Sequence, residues 1–303
     1  MEIIFLGTSS AVHSKERNHP SIALKAFGDV MLFDCGEGTQ RQILYTKVSP
    51  MKISKIFITH YHGDHILGLP GLLQSMSLHG RESELTIYGP KGLNDIKDAI
   101  YSLGYCAIDF PVEWIEIDTE TIEETEEYII TAQRVRHNVP CLAYSIEEKK
   151  KPRFLREKAI ELGVPVGPAF GKLHNGEEVE IDGRIIKPEQ VLGKPRKGIK
   201  ITYSGDTRPC EEMIELAKDS TLLIHESTFV EEERTNAEDH AHSTSTDAAY
   251  IAKESNSKEL VLTHISTRYG KEYVDIMLKE AREIFENTKI AKDLMELELR
   301  ISQ

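Results

Sequence analysis

The sequence predicts an α/β fold, one domain spanning residues 1–303 with a basic segment inserted at 149–197. Three observations predict it. Short apolar strand-like runs alternate with helix-like segments along most of the 303 residues. A Pro- and Gly-punctuated basic stretch interrupts that alternation once. Hydrophobic residues make up 40% of the chain, enough at this length to fill a proper core. No stretch approaches 18 uninterrupted apolar residues, and the N-terminus Met1 to Ser10 has neither a basic region nor a small-residue cleavage pattern. A cytoplasmic protein without a membrane span is expected.

Taken in order, Glu2 to Leu6 reads as a strand, followed by a Gly-Thr-Ser-Ser turn, a polar loop from His13 to His19, and a second strand from Ser21 to Ala26. Asp29 to Asp34 is a short apolar run ending in Asp34-Cys35-Gly36-Glu37-Gly38, after which Thr39 can cap a helix towards Tyr45. Lys55 to Thr59 forms a buried strand, and the segment beyond His65 is apolar and helical through Leu78. Further strands are expected at Leu85–Tyr88, Glu113–Ile117, Tyr128–Arg136, Cys141–Ile146, Ile199–Ser204, Thr221–Ile224 and Leu260–Thr263, with helices between several of them. Gly163 to Gly171 resists any helical period, and the chain is expected to close with a long helix from Lys271 to Leu299. There is no internal repeat.

The formal net charge of −13 argues against a nucleic-acid partner, because phosphate binding draws on clustered Lys and Arg. The distribution reverses that inference. Between Lys149 and Lys200 there are 13 Lys or Arg against 7 Asp or Glu, a local excess of +6. The four cysteines, Cys35, Cys106, Cys141 and Cys210, are scattered singly and read as reduced and structural.

The informative motif is His60-Tyr61-His62-Gly63-Asp64-His65, directly after a buried strand. Zinc takes imidazole nitrogen and carboxylate oxygen, and a hydrolytic site needs several such ligands plus an open position for water. On a tight turn, residues 60 and 62 can face one way while 64 and 65 face the other, so one loop could serve two metals. Further ligand types follow later strands: His137, Asp206 and His264.

Thr59 to His65 resembles the signature of the metallo-β-lactamase superfamily, and the resemblance spans almost the whole chain. It implies an αββα four-layer sandwich holding two Zn2+ per subunit. It further implies that His60, His62 and His137 hold one ion, that Asp64, His65 and His264 hold the other, and that Asp206 bridges them. Asp34 matches a further superfamily motif whose carboxylate acts from behind the ligands. Within the superfamily the chain resembles the RNase Z family, through Phe5-Leu6-Gly7-Thr8-Ser9, Ser14 to Asn18, His65 to Gly71, His225-Glu226-Ser227-Thr228-Phe229 and Ala241-His242-Ser243-Thr244. The basic segment, with Gly167-Pro168 followed by Gly171, Leu173 and Gly176, is similar to that family's flexible exosite arm.

The resemblance implies a zinc-dependent endoribonuclease that cuts precursor tRNA after the discriminator nucleotide, leaving a 3′-hydroxyl on the tRNA and a 5′-phosphate on the trailer. It implies Asp64 as general base and a homodimer in which one subunit's arm reaches tRNA bound by the other. No DNA partner is expected. His242 is the expected proton donor, since an imidazole can stand protonated near neutral pH and release a proton on demand. A structural or supporting role is expected for His225, and contact with the substrate 3′ end for Lys15, Arg17 and Asn18. His13, His19, His79, His174 and His240 read as surface or loop residues, and Trp114 as core. The rivals are a small-molecule phosphodiesterase or arylsulfatase, which has no need of the arm. Others are a catalytically silent RNA-binding protein, which has no need of seven ligands, and a di-iron redox protein, which would be expected to bring a flavin domain or other redox partner.

Overall fold

The computed structural model describes residues 1–104 and 107–300; Cys106 lies outside them. Contacts divide the chain into two compact units: one comprises residues 1–124, 129–147 and 199–303, the other residues 125–128 and 148–198.

The first unit is built on two seven-stranded sheets. Its first half contributes β1 (Glu2–Gly7), β2 (Ser21–Ala26), β3 (Asp29–Phe33), α1 (Thr39–Ile43), β4 (Ile53–Phe57), α2 (Gly63–Ile66), α3 (Leu69–Leu78), β5 (Leu85–Gly89), α4 (Leu93–Tyr101) and β6 (Val112–Glu116). From β1 to β3 the strands run antiparallel, and from β3 to β6 parallel. The second sheet uses β7 (Glu120–Glu124), β8 (Tyr128–Val135) and β9 (Cys141–Lys150).

Between β9 and the next strand of that sheet come α5 (Arg156–Glu161), α6 (Pro168–His174), β10 (Val179–Ile181), β11 (Arg184–Ile186) and α7 (Pro188–Val191). The second sheet then resumes with β12 (Arg196–Tyr203), α8 (Glu211–Ala217), β13 (Leu222–Glu226), α9 (Arg234–His240), α10 (Ser245–Glu254), β14 (Leu260–Thr263), α11 (Lys271–Ile284) and β15 (Thr288–Ile290). Strands β12 to β15 are parallel, and β16 (Glu296–Glu298) returns to pair with β1.

Strand periodicity explains the layering. Successive side chains point to opposite faces, so Leu32 and Ile56 pack with α1, α3 and α4, while their neighbours Phe33 and Phe57 face the other sheet. There Phe57 meets Tyr144 at 5.3 Å between ring centroids and Phe33 meets Tyr203 at 5.9 Å. On the far side, Leu223 and Leu262 pack against Met213 of α8, Ile251 of α10 and Met277 of α11. The order is helix, sheet, sheet, helix. Strands covered on both faces read as continuous apolar runs, which is why they stand out in the sequence.

The second unit has its own small core of Ala159, Val164, Leu173, Val179, Ile186 and Val191, joined by Phe154 and Phe170. Its β10–β11 hairpin turns on Asp182-Gly183, both at positive φ, the pairing that a two-residue hairpin loop favours.

Four expectations are corrected. The helix expected from Lys271 to Leu299 stops at Ile284, because Thr288–Ile290 gains a parallel partner in β14 and Glu296–Glu298 an antiparallel one in β1. Sheet pairing overrides helical propensity there. Residues 163–171 are not uniformly irregular, since Pro168 occupies the first turn of α6, where its missing N–H costs nothing. Thr39 is the first residue of α1, with Gly38 at the cap in the left-handed region and the Thr39 hydroxyl donating to the Gly36 carbonyl. The apolar segment after His65 is two helices broken at Leu67-Gly68. Among the described residues no helix is long and apolar enough to cross a membrane.

Candidate metal centre

Every residue expected as a ligand follows the carboxyl end of a strand, where an α/β sheet places its functional loops, whereas His242 comes from the turn between α9 and α10. Asp34 follows β3, the His60 to His65 loop follows β4, His137 follows β8, Asp206 follows β12, Glu226 ends β13 and His264 follows β14. All seven residues expected as ligands converge. His60, His62, His137 and Asp206 present donor atoms within 4.8 Å of one another, as do Asp64, His65 and His264. Asp206 stands against both sets, with Oδ2 3.6 Å from His60 Nε2 and 3.4 Å from His65 Nε2, and Oδ1 3.3 Å from His264 Nε2.

The hydrogen bonds behind the donors fix which nitrogen faces inward. The Thr59 hydroxyl donates to Asp34, so its lone pair accepts from His60 Nδ1 at 3.0 Å. The Thr228 hydroxyl likewise donates to Glu226 and accepts from His264 Nδ1 at 2.8 Å. His65 Nδ1 donates to Asp34 Oδ2 at 2.8 Å, and His137 Nδ1 to the Ala241 carbonyl at 2.9 Å. Four imidazoles thereby turn Nε2 towards the centre, and His62 turns Nδ1 there, 3.0 Å from His60 Nε2 and 3.4 Å from His137 Nε2. Anchoring of this kind is how metal-binding histidines are oriented.

This donor set fits a metal. Ligand atoms around a tetrahedral zinc stand roughly 3.3 Å apart for bonds of about 2.0–2.1 Å, close to the separations within each set. Lone pairs of neighbouring imidazoles aimed at one point repel unless a cation lies between them. Asp206 Oδ1 is a buried carboxylate oxygen with no hydrogen-bond donor, the kind of atom a cation satisfies. Burial works against charge on Asp206, yet the His264 and His65 imidazoles hold it well below the usual carboxylate range. Burial also opposes charge on His65, but Asp206, Asp34 and Asp64 outweigh it and favour a positive charge there, which a proton or a metal can supply.

Asp64 is the more accessible of the two carboxylates, and its Oδ2 accepts from the Ala11 amide at 2.8 Å. His242 lies beside the centre, with Nδ1 2.8 Å from Glu226 Oε1 and 3.9 Å from Asp206 Oδ2. Burial lowers its basicity, but the Glu226 carboxylate prevails and raises it to about 9. Glu226, buried, also accepts from the Thr207 amide and from the Thr228 amide and hydroxyl.

Sequence reasoning missed Glu226, Thr59, Thr228 and Tyr203, whose hydroxyl donates to Asp34 Oδ2 at 2.9 Å. Glu226 was discoverable, because alternation along β13 puts it on the face opposite His225. His225 stays outside the converging groups, with Nδ1 donating to the Glu226 carbonyl. Arg17 is held by bonds to Thr8 and the Ala291 carbonyl, and Asn18 by the Glu37 carbonyl and Asp293, while Lys15 is exposed. His19 is a loop residue, as expected, but a buried one, wedged where the chain passes Gly7 and Gly36. Cys35, Cys141 and Cys210 are buried free thiols, and burial pushes Cys35 up to about 12.

Residues 1–98 match the family model of the anti-Pycsar protein Apyc1, and residues 184–265 that of the beta-lactamase superfamily domain. A ribonuclease Z of Methanothermobacter thermautotrophicus is 53% identical over 99% of this chain and 97% of its own. One from Methanosarcina mazei is 45% identical over 99% and 98%. The solved structure of the short form of human tRNase Z is similar with a TM-score of 0.72 and 28% identity, covering 99% of this chain and 100% of that one.

Proposed function

The chain belongs to the ribonuclease Z family, metal-dependent endoribonucleases with the metallo-β-lactamase fold, and from that premise we propose that it removes the 3′ trailer of precursor tRNA. The cut falls after the discriminator nucleotide and leaves a 3′-hydroxyl on the tRNA and a 5′-phosphate on the trailer. The observation that carries this reading is the position of Asp206 between two histidine-carboxylate sets, an arrangement suited to a pair of ions and in-line phosphodiester hydrolysis.

His60, His62 and His137 would hold one Zn2+, Asp64, His65 and His264 the other, with Asp206 shared. Bound there, the ions would lower the pKa of a water molecule and screen the charge that builds on the phosphoryl oxygens. Asp64, aimed by the Ala11 amide, orients the attacking water and accepts its proton. As the new P–O bond forms, the bond from phosphorus to the ribose O3′ breaks. The imidazolium of His242, stabilised by Glu226, gives its proton to that departing oxygen.

The inserted basic segment 149–197 serves as the exosite that holds tRNA through phosphates, which positions a substrate without reading its sequence. Its excess of Lys and Arg supports this, and its own core makes it a folded limb. DNA is not a substrate. The enzyme works in the cytoplasm, and as a homodimer, the latter supported by the exposed Leu44, Tyr45, Leu67 and Leu78 on and beside α1 to α3. Incubating the purified protein with a 5′-labelled precursor, with and without chelator, tests the proposal. A single chelator-sensitive cut at the discriminator is expected, and cleavage elsewhere or none would overturn it.

A further inference from the structure

Outside the centre described above, the loop from Thr8 to His19 and the Asp34–Gly38 turn together bring a group of side chains with metal-ligand character into contact. His13, His19 and Glu37 present donor atoms that all lie within 4.8 Å of one another. The two imidazole rings meet edge to face, with centroids 5.0 Å apart. His13 and Glu37 are exposed, whereas His19 is only 6% exposed, and neither of its ring nitrogens has a hydrogen-bond partner. A buried imidazole without partners is an unusual expense, since buried polar groups are nearly always satisfied. His13 and Glu37 would serve as its fellow ligands, while Asp64 and His65 of the Asp206-centred site also lie near it.

The backbone around His19 and Glu37 is already fixed. Asn18 Nδ2 donates to the Glu37 carbonyl at 2.8 Å, the Gly36 amide donates to the Pro20 carbonyl at 3.0 Å, and the Asn18 amide donates to Asp293 at 2.7 Å. These bonds hold the strand-entry residue His19 beside the turn that carries Glu37. Gly36 permits the approach, since a Cβ there would lie 2.5 Å from His19 Cβ. A buried His19 held beside the Glu37 turn, with an exposed His13 next to them, is a donor set of two imidazoles and one carboxylate with a position open to solvent.

We propose that His13, His19 and Glu37 form an additional binding site for a divalent transition metal of the zinc class, separate from the Asp206-centred pair. Imidazole with carboxylate selects zinc, nickel or copper over magnesium or calcium. Occupancy would cross-link the first loop to the Asp34–Gly38 turn. The same loop carries Ala11, whose amide holds Asp64, so the site would stiffen one support of the reaction centre.

The test is equilibrium dialysis against buffered free Zn2+ from nanomolar to high micromolar, with bound zinc measured by elemental analysis. Wild type is compared with His13→Ala, Glu37→Ala and the double variant; His19 is left intact because its burial ties it to folding. Each single variant is expected to bind one equivalent fewer than wild type in the micromolar range, and the double variant to lose that same one equivalent. Superimposable isotherms would overturn the proposal, as would a double variant that loses two equivalents, which is the behaviour of unrelated surface sites. The difference between isotherms does not depend on how many ions the Asp206-centred site takes.

Discussion

His242 Nδ1 and Glu226 Oε1 lie 2.8 Å apart, a buried carboxylate paired with an imidazole beside the metal-ligand cluster. On the proposed mechanism, the pair would set the proton inventory of the leaving-group side. A general acid must be protonated to act, so activity is present below the pKa of His242 and is lost as pH rises through it. With His242 raised to about 9, the alkaline limb of the kcat/KM profile is expected high. Glu226→Gln removes the group that raises it, so that limb should move to lower pH. Rates at pH 6 should fall far less than rates at pH 8.5. An alkaline limb that does not move would remove Glu226 from this role.

His242→Ala should lower kcat on precursor tRNA by about 10²–10⁴-fold, the usual weight of a general acid. Bis(p-nitrophenyl) phosphate, whose leaving group needs no proton, should lose much less. Comparable losses on both substrates would mean that His242 supports the site's structure and does not donate to the leaving group.

Asp64→Ala should abolish cleavage while leaving affinity for precursor tRNA within a few-fold. Gel-shift titration beside single-turnover assays separates the two quantities. A variant with substantial turnover would contradict the general-base assignment.

Asp34 touches no reacting atom on this account, yet it accepts from His65 Nδ1, the Thr59 amide and hydroxyl, and the Tyr203 hydroxyl. Asp34→Asn keeps the shape and loses the charge that favours a positive His65. Metal affinity should drop by about 10–100-fold, as it does when a ligand's supporting carboxylate is removed. Competition with a chromophoric chelator measures this, and unchanged retention would show that His65 needs no such support.

Much of this could be read from the residues in order. The seven residues that converge were legible because each follows a strand, and a strand covered on both faces announces itself as a short apolar run. The C-terminal segment was not, because Glu296-Leu297-Glu298 and Thr288-Lys289-Ile290 are strands only by virtue of partners far away in the chain. Glu226 was overlooked beside His225 for a related reason, since its importance depends on His242 reaching it from another loop. That His19 is a buried loop residue appears only once Gly7 and Gly36 are seen to admit the chain beside them.

Deleting residues 149–197 behind a short Gly-Ser linker should weaken precursor binding by about ten-fold or more, with a shallower dependence on salt, because phosphate contacts are lost. Hydrolysis of bis(p-nitrophenyl) phosphate should persist. Equal losses on both substrates would count against the exosite.

The central claim is that His60, His62 and His137 grip one ion, Asp64, His65 and His264 another, and Asp206 both. Anomalous diffraction at the zinc edge from crystals of the zinc-saturated enzyme tests it directly. The account predicts two peaks roughly 3.5–4 Å apart on either side of the Asp206 carboxylate. A single peak there, or none, would contradict it.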